Sequence, residues 1–187
     1  MATKDAPDYP WYQVVAGSDF TQGDILPDCP LLTPNADEVL LRVTEKSEES
    51  VDIPVIKATV VVMTQACDIS HEKVNSIVLC PIWPLEEFSQ AEDGAPHLAS
   101  DKAKEELRKG NSPPFHLLNR DEYFKFEYMV VDFRELYSLP TAVVRLVAEK
   151  AGERPRLLSP YKEQLSQSFA RYFMRVGLPI DIPSFRK

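Results

Sequence analysis

The sequence predicts an α+β fold in one domain spanning residues 1–187. It has a mostly antiparallel β core, a helical surface insertion over about 84–114, and a C-terminal amphipathic helix over 159–177. Three observations carry this. The run Ala58–Gln65 (ATVVVMTQ) is β-branched and apolar without alternation, as a strand buried on both faces must be, and Val74–Ile82 has the same character. Tyr161, Leu165, Phe169, Tyr172 or Phe173, and Val176 recur at three-to-four spacing, which places one aromatic-rich helix face against the sheet. Sixteen Pro and only six Gly among 187 residues describe a fold of short elements ended by prolines.

In chain order, Trp11 to Pro34 mixes short apolar pieces with Gly17-Ser18, Gly23-Asp24 and Pro27, and this favours short strands joined by turns. Val39–Val43 reads as a strand, Glu45–Ser50 as a solvated hairpin tip, and Val51–Ile56 as the returning strand. The runs 58–65 and 74–82 then form a core hairpin. Leu85–Phe88 and Ser100–Lys109 read as helices, the second with Ser100 as N-cap and Gly110 at its end. Phe115–Leu118 and Phe126–Phe133 follow as strands. Thr141–Lys150 carries both signals, and its Ala content and the stop at Gly152 favour a helix. In the last helix Ser159 is the expected N-cap, Pro160 the first helical residue, and Gly177 with Pro179 the stop.

Hydrophobic content of 44% with 27% charged residues excludes a disordered tail or a collagen-like repeat. No stretch approaches the ~20 apolar residues of a membrane span, and the start MATKDAPDYP lacks the basic flank and apolar core of a signal peptide. A cytoplasmic protein without membrane contact is expected. The net charge of −8 is unevenly spread: residues 1–93 hold 17 acidic and 5 basic side chains, while residues 141–187 hold nine Lys or Arg against four acids. The two halves are therefore expected to face each other, within the monomer or across a dimer. An acidic chain with a pI near 5.0 is a poor match for nucleic acid.

Chemistry could reside in Thr64–His71 (TQACDISH), just past a buried strand, where the strand fixes the backbone and the loop faces a ligand. Cys67, Asp68, His71 and Gln65 are the catalytic candidates, Cys67 as nucleophile and His71, His97 or His116 as its base. On the plain structural reading, Gln65 and Asp68 cap loop backbone while Cys67 fills a small core space. Three Cys do not form a disulfide framework. A zinc site from Cys29, Cys67, His71 and Cys80 lacks the paired close spacing of zinc knuckles, so free thiols and no cofactor are expected. Arg171 and Arg175, four residues apart, are candidate partner-binding residues. His116 reads as a half-buried histidine satisfied by backbone, and Asp132 with Arg134 as an internal ion pair. Phosphate loops, HExxH, GxSxG and EF-hand ladders are absent.

The segments Gln22–Leu26 (QGDIL), Met63–Ile69 (MTQACDI) and Arg156–Pro179 together resemble a family of uncharacterised bacterial proteins, a resemblance that implies a bacterial cytoplasmic protein. More loosely, Gly23–Leu26 and Val60–Met63 are similar to the first strands of PemK/MazF-type toxin barrels. That likeness implies a partly open SH3-like β-barrel and RNA cleavage by an Arg with a Ser or Thr. The sequence departs from it in lacking an Arg-Pro before the buried strand. The leading expectation is a non-enzymatic interaction or regulatory module, with a protein partner or self-association. The alternatives are a thiol-centred enzyme or ligand sensor, or a ribonuclease-like relative, sited at the Gln65–His71 loop.

Overall fold

The computed structural model describes residues 9–33, 40 and 53–174. The strands are β1 (Tyr12–Val15), β2 (Ile25–Leu32), β3 (Val55–Val62), β4 (Ser76–Pro84), β5 (Phe115–Leu118), β6 (Met129–Asp132), β7 (Tyr137–Pro140) and β8 (Arg154–Leu157). The helices are α1 (Ala66–Ser70), α2 (Leu85–Phe88), α3 (Asp101–Arg108), α4 (Thr141–Ala151) and α5 (Tyr161–Phe173), with a 3-10 turn at Pro96–Ala99. All ladders are antiparallel. A six-stranded sheet runs β2-β3-β4-β6-β5, and β4 is long enough to pair with β7 over Ser76–Leu79 and with β6 over Ile82–Pro84. β1 and β8 form a separate two-stranded ribbon. The α+β class and the antiparallel core stand, and the sheet is not closed into a barrel.

The core hairpin is β3–β4, with Val61 opposite Cys80, and the buried part of the β-branched run is Val60–Val62. Alternation across this sheet separates two apolar layers. One holds Leu26, Cys29, Val60, Val62, Leu79 and the α4 residues Val144 and Ala148. The other holds Ile25, Val61, Cys80, Phe133 and the α5 residue Leu165. Residues 85–108 build a third, smaller cluster in which Leu85, Phe88, Leu98 and Leu107 cover Phe115 and Val130. The helical insertion therefore caps one end of the sheet with its own small core.

Local expectations fare unevenly. Ser100 is the N-cap of α3, accepting from the Ala103 amide at 3.3 Å, and Gly110 ends that turn at φ +76°. Thr141–Ala151 is helical. The last helix begins one residue later than expected: Pro160 occupies the N-cap position, and the Ser159 hydroxyl donates to Glu163 Oε1 at 2.8 Å. Residues 126–128 precede β6 outside any strand. β7 escapes the sequence reading because only Leu139 of its four residues is buried. The Val39–Val43 strand and the 45–50 hairpin tip lie outside the described residues except for Leu40, which is helical. Arg175, Gly177 and Pro179 also lie outside them.

The predicted charge complementarity is internal. Arg154 is completely buried, its Nε donating to Asp24 Oδ2 at 3.0 Å, and Arg156 closes on the same carboxylate through Nε and Nη2. Arg145 meets Asp19 and Glu72 at the surface. Asp132 and Arg134 form the expected pair at 2.7 Å. His116 differs from its expectation: its Nδ1 lies 3.1 Å from Ser168 Oγ, a side chain, and its Nε2 has no partner. Burial lowers its pKa to about 4.

Two outcomes follow from these buried groups. Asp24→Ala leaves Arg154 charged and unpaired inside the fold, so urea denaturation should show a loss of about 3–5 kcal/mol, against under ~1 kcal/mol for Arg145→Ala in its exposed pair. Below pH 6.5 the unfolded chain accepts a proton on His116 that the folded protein refuses until about pH 4. Stability should therefore fall with acid across that window, and His116→Phe should flatten this part of the profile in a pH series of melts.

Candidate functional site

β3 ends at Val62, and the chain passes through Met63 and Thr64 into α1. The turn is fixed because Thr64 Oγ1 accepts from the Val78 amide of β4 at 2.8 Å, and the Met63 amide donates to the Val78 carbonyl at 2.9 Å. Gln65 is the extended N-cap residue of α1, and the amides of Asp68 and Ile69 return to its carbonyl. Ile69 buries as the anchor of the short helix, which leaves Gln65, Cys67, Ser70 and His71 at the surface.

These side chains turn inward on their own helix. Cys67 Sγ lies 3.7 Å from both Gln65 Oε1 and Asp68 Oδ1. His71 Nδ1 lies 2.7 Å from the Cys67 carbonyl oxygen and 3.2 Å from Ser70 Oγ, so the imidazole caps the helix end and does not reach the thiol. Asp68 leans toward Lys73 at 3.9 Å. Gln65, Cys67, Asp68 and His71 are thus neighbours, but no hydrogen bond joins nucleophile to base. Cys67 is exposed, which corrects the expectation that it fills core space.

The zinc reading fails on geometry. Cys29 and Cys80 are buried in different apolar layers, and no group of three metal-ligating side chains forms among the described residues. Burial pushes the Cys29 thiol up to about 11 and the Cys80 thiol up to about 12, the latter with help from Asp132.

A larger feature adjoins α1. An open groove of about 550 Å³ runs between the β3–α1 turn and α5. Its polar floor is Gln22, only 9% exposed, whose Nε2 donates to the Met63 carbonyl at 3.1 Å and to Ser166 Oγ at 2.9 Å. Gln65 and Asp68 stand on one bank, and Phe169, Ala170 and Phe173 on the other, with Leu136 at an end. Three segments distant in sequence meet here: Gln22 from the first, Met63, Thr64, Gln65 and Asp68 from the second, and Ser166, Phe169, Ala170 and Phe173 from the third. Leu136 and Phe173 are 44% and 53% exposed, large apolar side chains left in water beside the groove.

Sequence reasoning singled out the α1 loop but not the groove. The other groove residues, Gln22, Leu136, Ser166 and Phe173, come from distant parts of the chain, and no local pattern in the sequence marks them as one site. Arg171 is exposed at the surface of α5, and Arg175 lies outside the described residues.

No protein-family model matches the chain, and no curated protein matches it. Among the described residues no helix is long and apolar enough to cross a membrane.

The three thiols should separate cleanly by reactivity. At neutral pH a maleimide should modify Cys67 alone in the folded protein, because a thiol titrating near 11 holds only on the order of one part in 10⁴ as thiolate and is also shielded. Peptide mapping by mass spectrometry should find Cys29 and Cys80 labelled only after denaturation.

Proposed function

We propose that this chain is a non-enzymatic interaction module that receives an apolar segment of a protein partner in the groove between α1 and α5. One observation supports it above the others: three segments distant in sequence converge on the groove, and its wall leaves Phe173 and Leu136 in solvent. Burying two such side chains against a partner contributes on the order of 2–4 kcal/mol, enough to anchor a modest interface. Gln22, held by two hydrogen bonds, supplies a polar floor, and the Gln65 and Asp68 side chains a polar rim that fixes the partner's register. A thiol enzyme would need an imidazole on Cys67, and His71 is bound to the Cys67 carbonyl instead.

Cys67 provides the test, since it is an exposed thiol on α1, next in sequence to the groove residue Asp68. A photo-crosslinker attached to Cys67 should capture a discrete partner from extracts of the source cells. Leu136→Glu and Phe173→Glu should each reduce that capture at least about tenfold while leaving the melting transition in place. Capture that is indifferent to both substitutions, or turnover of a substrate that vanishes in Cys67→Ala, would exclude this function.

A further inference from the structure

The edges of the β-structure are not equally protected. An open strand edge invites pairing with another chain, and folds blunt it with prolines, charges, bulges or a covering segment. β2, at one edge of the large sheet, carries Pro27 and Pro30 and a register shift between Leu26 and Cys29, where Asp28 takes φ +50°. β5, at the other edge, is closed at both ends: the Phe115 amide turns back to Ser112, and the Asn119 carbonyl accepts from Tyr12 Oη. β7 ends in Pro140, which has no N–H to offer.

β1 is as short, but it carries no proline, charge or bulge, and it pairs with β8 on one side only. The Leu158 amide donates to the Trp11 carbonyl, whereas the Leu157 amide donates to Gly23 on the far side of β8. Alternation along the ladder therefore turns the main chain of Trp11, Gln13 and Val15 toward β8 and leaves the N–H and C=O of Tyr12 and Val14 on the outer edge. Pro155 opposes Val14 and fits this phase, since no ladder bond is asked of its nitrogen. Among the described residues these outward groups have no hydrogen-bond partner. Val14 is 44% exposed and Gln13 is also exposed, while Tyr12 is buried through its ring, which meets Phe126 edge-on at 5.3 Å.

Charge and register select a second copy as the occupant. The stretch Tyr9–Ser18 holds no charged residue in a chain of net charge −8, so two copies meeting here bring no like charges together, which a contact through acidic surface would do. Pro10 bounds the pairable segment at one end, and Gly17 turns the chain away at φ +86° at the other, so its midpoint falls near Gln13. A two-fold axis at Gln13 sets Tyr12 opposite Val14 of the second copy and the reverse, and these are the residues whose main-chain groups face outward. An aromatic then lies against a β-branched side chain, a pairing that sheets favour, and the two Gln13 amides face each other, each able to donate and accept. The nearest charges on the ribbon, the two Arg156 residues, stand three strand spacings or about 14 Å apart, beyond the ~8 Å screening length, and each is bonded to its own Asp24. Two ribbons become one four-stranded sheet, and the two-fold closes the assembly so that no open edge is left to propagate.

We propose that this edge is an interface between copies of the chain, in which β1 pairs antiparallel with β1 of a second copy about a two-fold axis at Gln13. The surface is separate from the groove, whose lining includes no residue of β1 or β8, and it stands independently of the function proposed there.

Sedimentation equilibrium of the full chain tests this. The mass should rise with concentration from the 21.2 kDa of one copy toward twice that value, with a Kd on the order of 100 μM, as befits so short an edge. Gln13→Lys, at an exposed position, sets like charges opposite each other at the axis and should raise that Kd at least about tenfold, with partial recovery in high salt. Val14→Pro removes an outward N–H that the β1–β8 ladder does not use and should weaken the dimer similarly, without recovery in salt. In a Cys67→Ser background, Gln13→Cys should form a disulfide-linked dimer under mild oxidation, because the Cα atoms of such a pair lie about 4.5 Å apart. Leu146→Cys, also exposed but on α4, should not. A chain that stays monomeric up to ~1 mM, whether or not a strand of another protein adds to the edge, overturns the proposal. A dimer indifferent to both Gln13→Lys and Val14→Pro, or cross-linking of Leu146→Cys as fast as that of Gln13→Cys, overturns it equally.

Discussion

The fold is organised around one carboxylate. Asp24 is closed off from water and receives two guanidinium groups, Arg154 and Arg156, that sit two residues apart on β8. An arginine buried this completely survives only if nearly all its donors are answered. Arg154 meets that demand with four bonds: to Asp24, and to the carbonyls of Gly17 (2.9 Å), Asp19 (2.6 Å) and Ala148 (3.2 Å). Those carbonyls belong to the β1–β2 connection and to the last turn of α4, where a helix leaves acceptors unfilled and favours a cation. One side chain thus ties the ribbon, the connecting loop and α4 to the start of β2. Apolar burial supplies most of the stability, but it is indifferent to small shifts of register, whereas this cluster is satisfied in one arrangement only.

The same turn explains how the groove comes to lie where it does. Gly23 has φ +85°, and a Cβ there would lie 3.1 Å from the Leu157 side chain, so the ribbon can close on this residue only because it is glycine. Its amide donates to the Val62 carbonyl at 2.9 Å, and its carbonyl accepts from Leu157 at 3.0 Å. The main chain at 23–24 is therefore bonded to β3 on one side and β8 on the other. Gln22 is pushed to the opposite side of this junction from the Asp24 carboxylate, toward Met63 and Ser166. The three residues of the QGD turn divide the labour: Gln22 shapes the groove, Gly23 permits the close approach, and Asp24 holds the arginines.

Much of the architecture was legible because it rests on local patterns: the β3–β4 hairpin on its β-branched runs, α3 on Ser100 and Gly110, α5 on its aromatic periodicity. The imbalance of charge between the two ends was also legible, and it resolves into Arg154, Arg156 and Arg145 meeting Asp24, Asp19 and Glu72. The partners could not be read, since residues so far apart in the chain, 126 positions for Arg145 and Asp19 and 130 for Arg154 and Asp24, share no local signal. β8 hid for a related reason: Arg-Pro-Arg-Leu reads as a polar turn, and its strand character comes from the carboxylate and carbonyls that receive it. His116 was misassigned because a histidine flanked by Phe115 and Leu117 looks the same from sequence whether its second nitrogen is satisfied or not. The α1 loop was found as a polar cluster, but helix geometry bends His71 back on the Cys67 carbonyl, and sequence spacing does not report which way a ring turns.

α5 forms one wall of the groove, and the way it is held shapes that wall. No strand ladder includes it, and its first turn bonds back only to Leu158 and Pro160. Its position is set by side chains: Leu165 is completely buried, Tyr161 stacks on Trp11, Phe169 meets Phe133 edge-on at 5.4 Å, Ser166 accepts from Gln22, and Ser168 faces His116. Ser166 and Ser168 stand two residues apart and point to opposite walls, one to the floor of the groove and one to the buried imidazole. A helix held by packing and single hydrogen bonds shifts as a rigid body at lower cost than a strand in a ladder, because no row of main-chain bonds must break together. Its aromatic face carries the helix's contribution to stability, and the serines between those rings tie it to Gln22 and His116. The core below is tied together by Asp24 and its arginines, whose bonds reach Gly17, Asp19 and Ala148 but not α5.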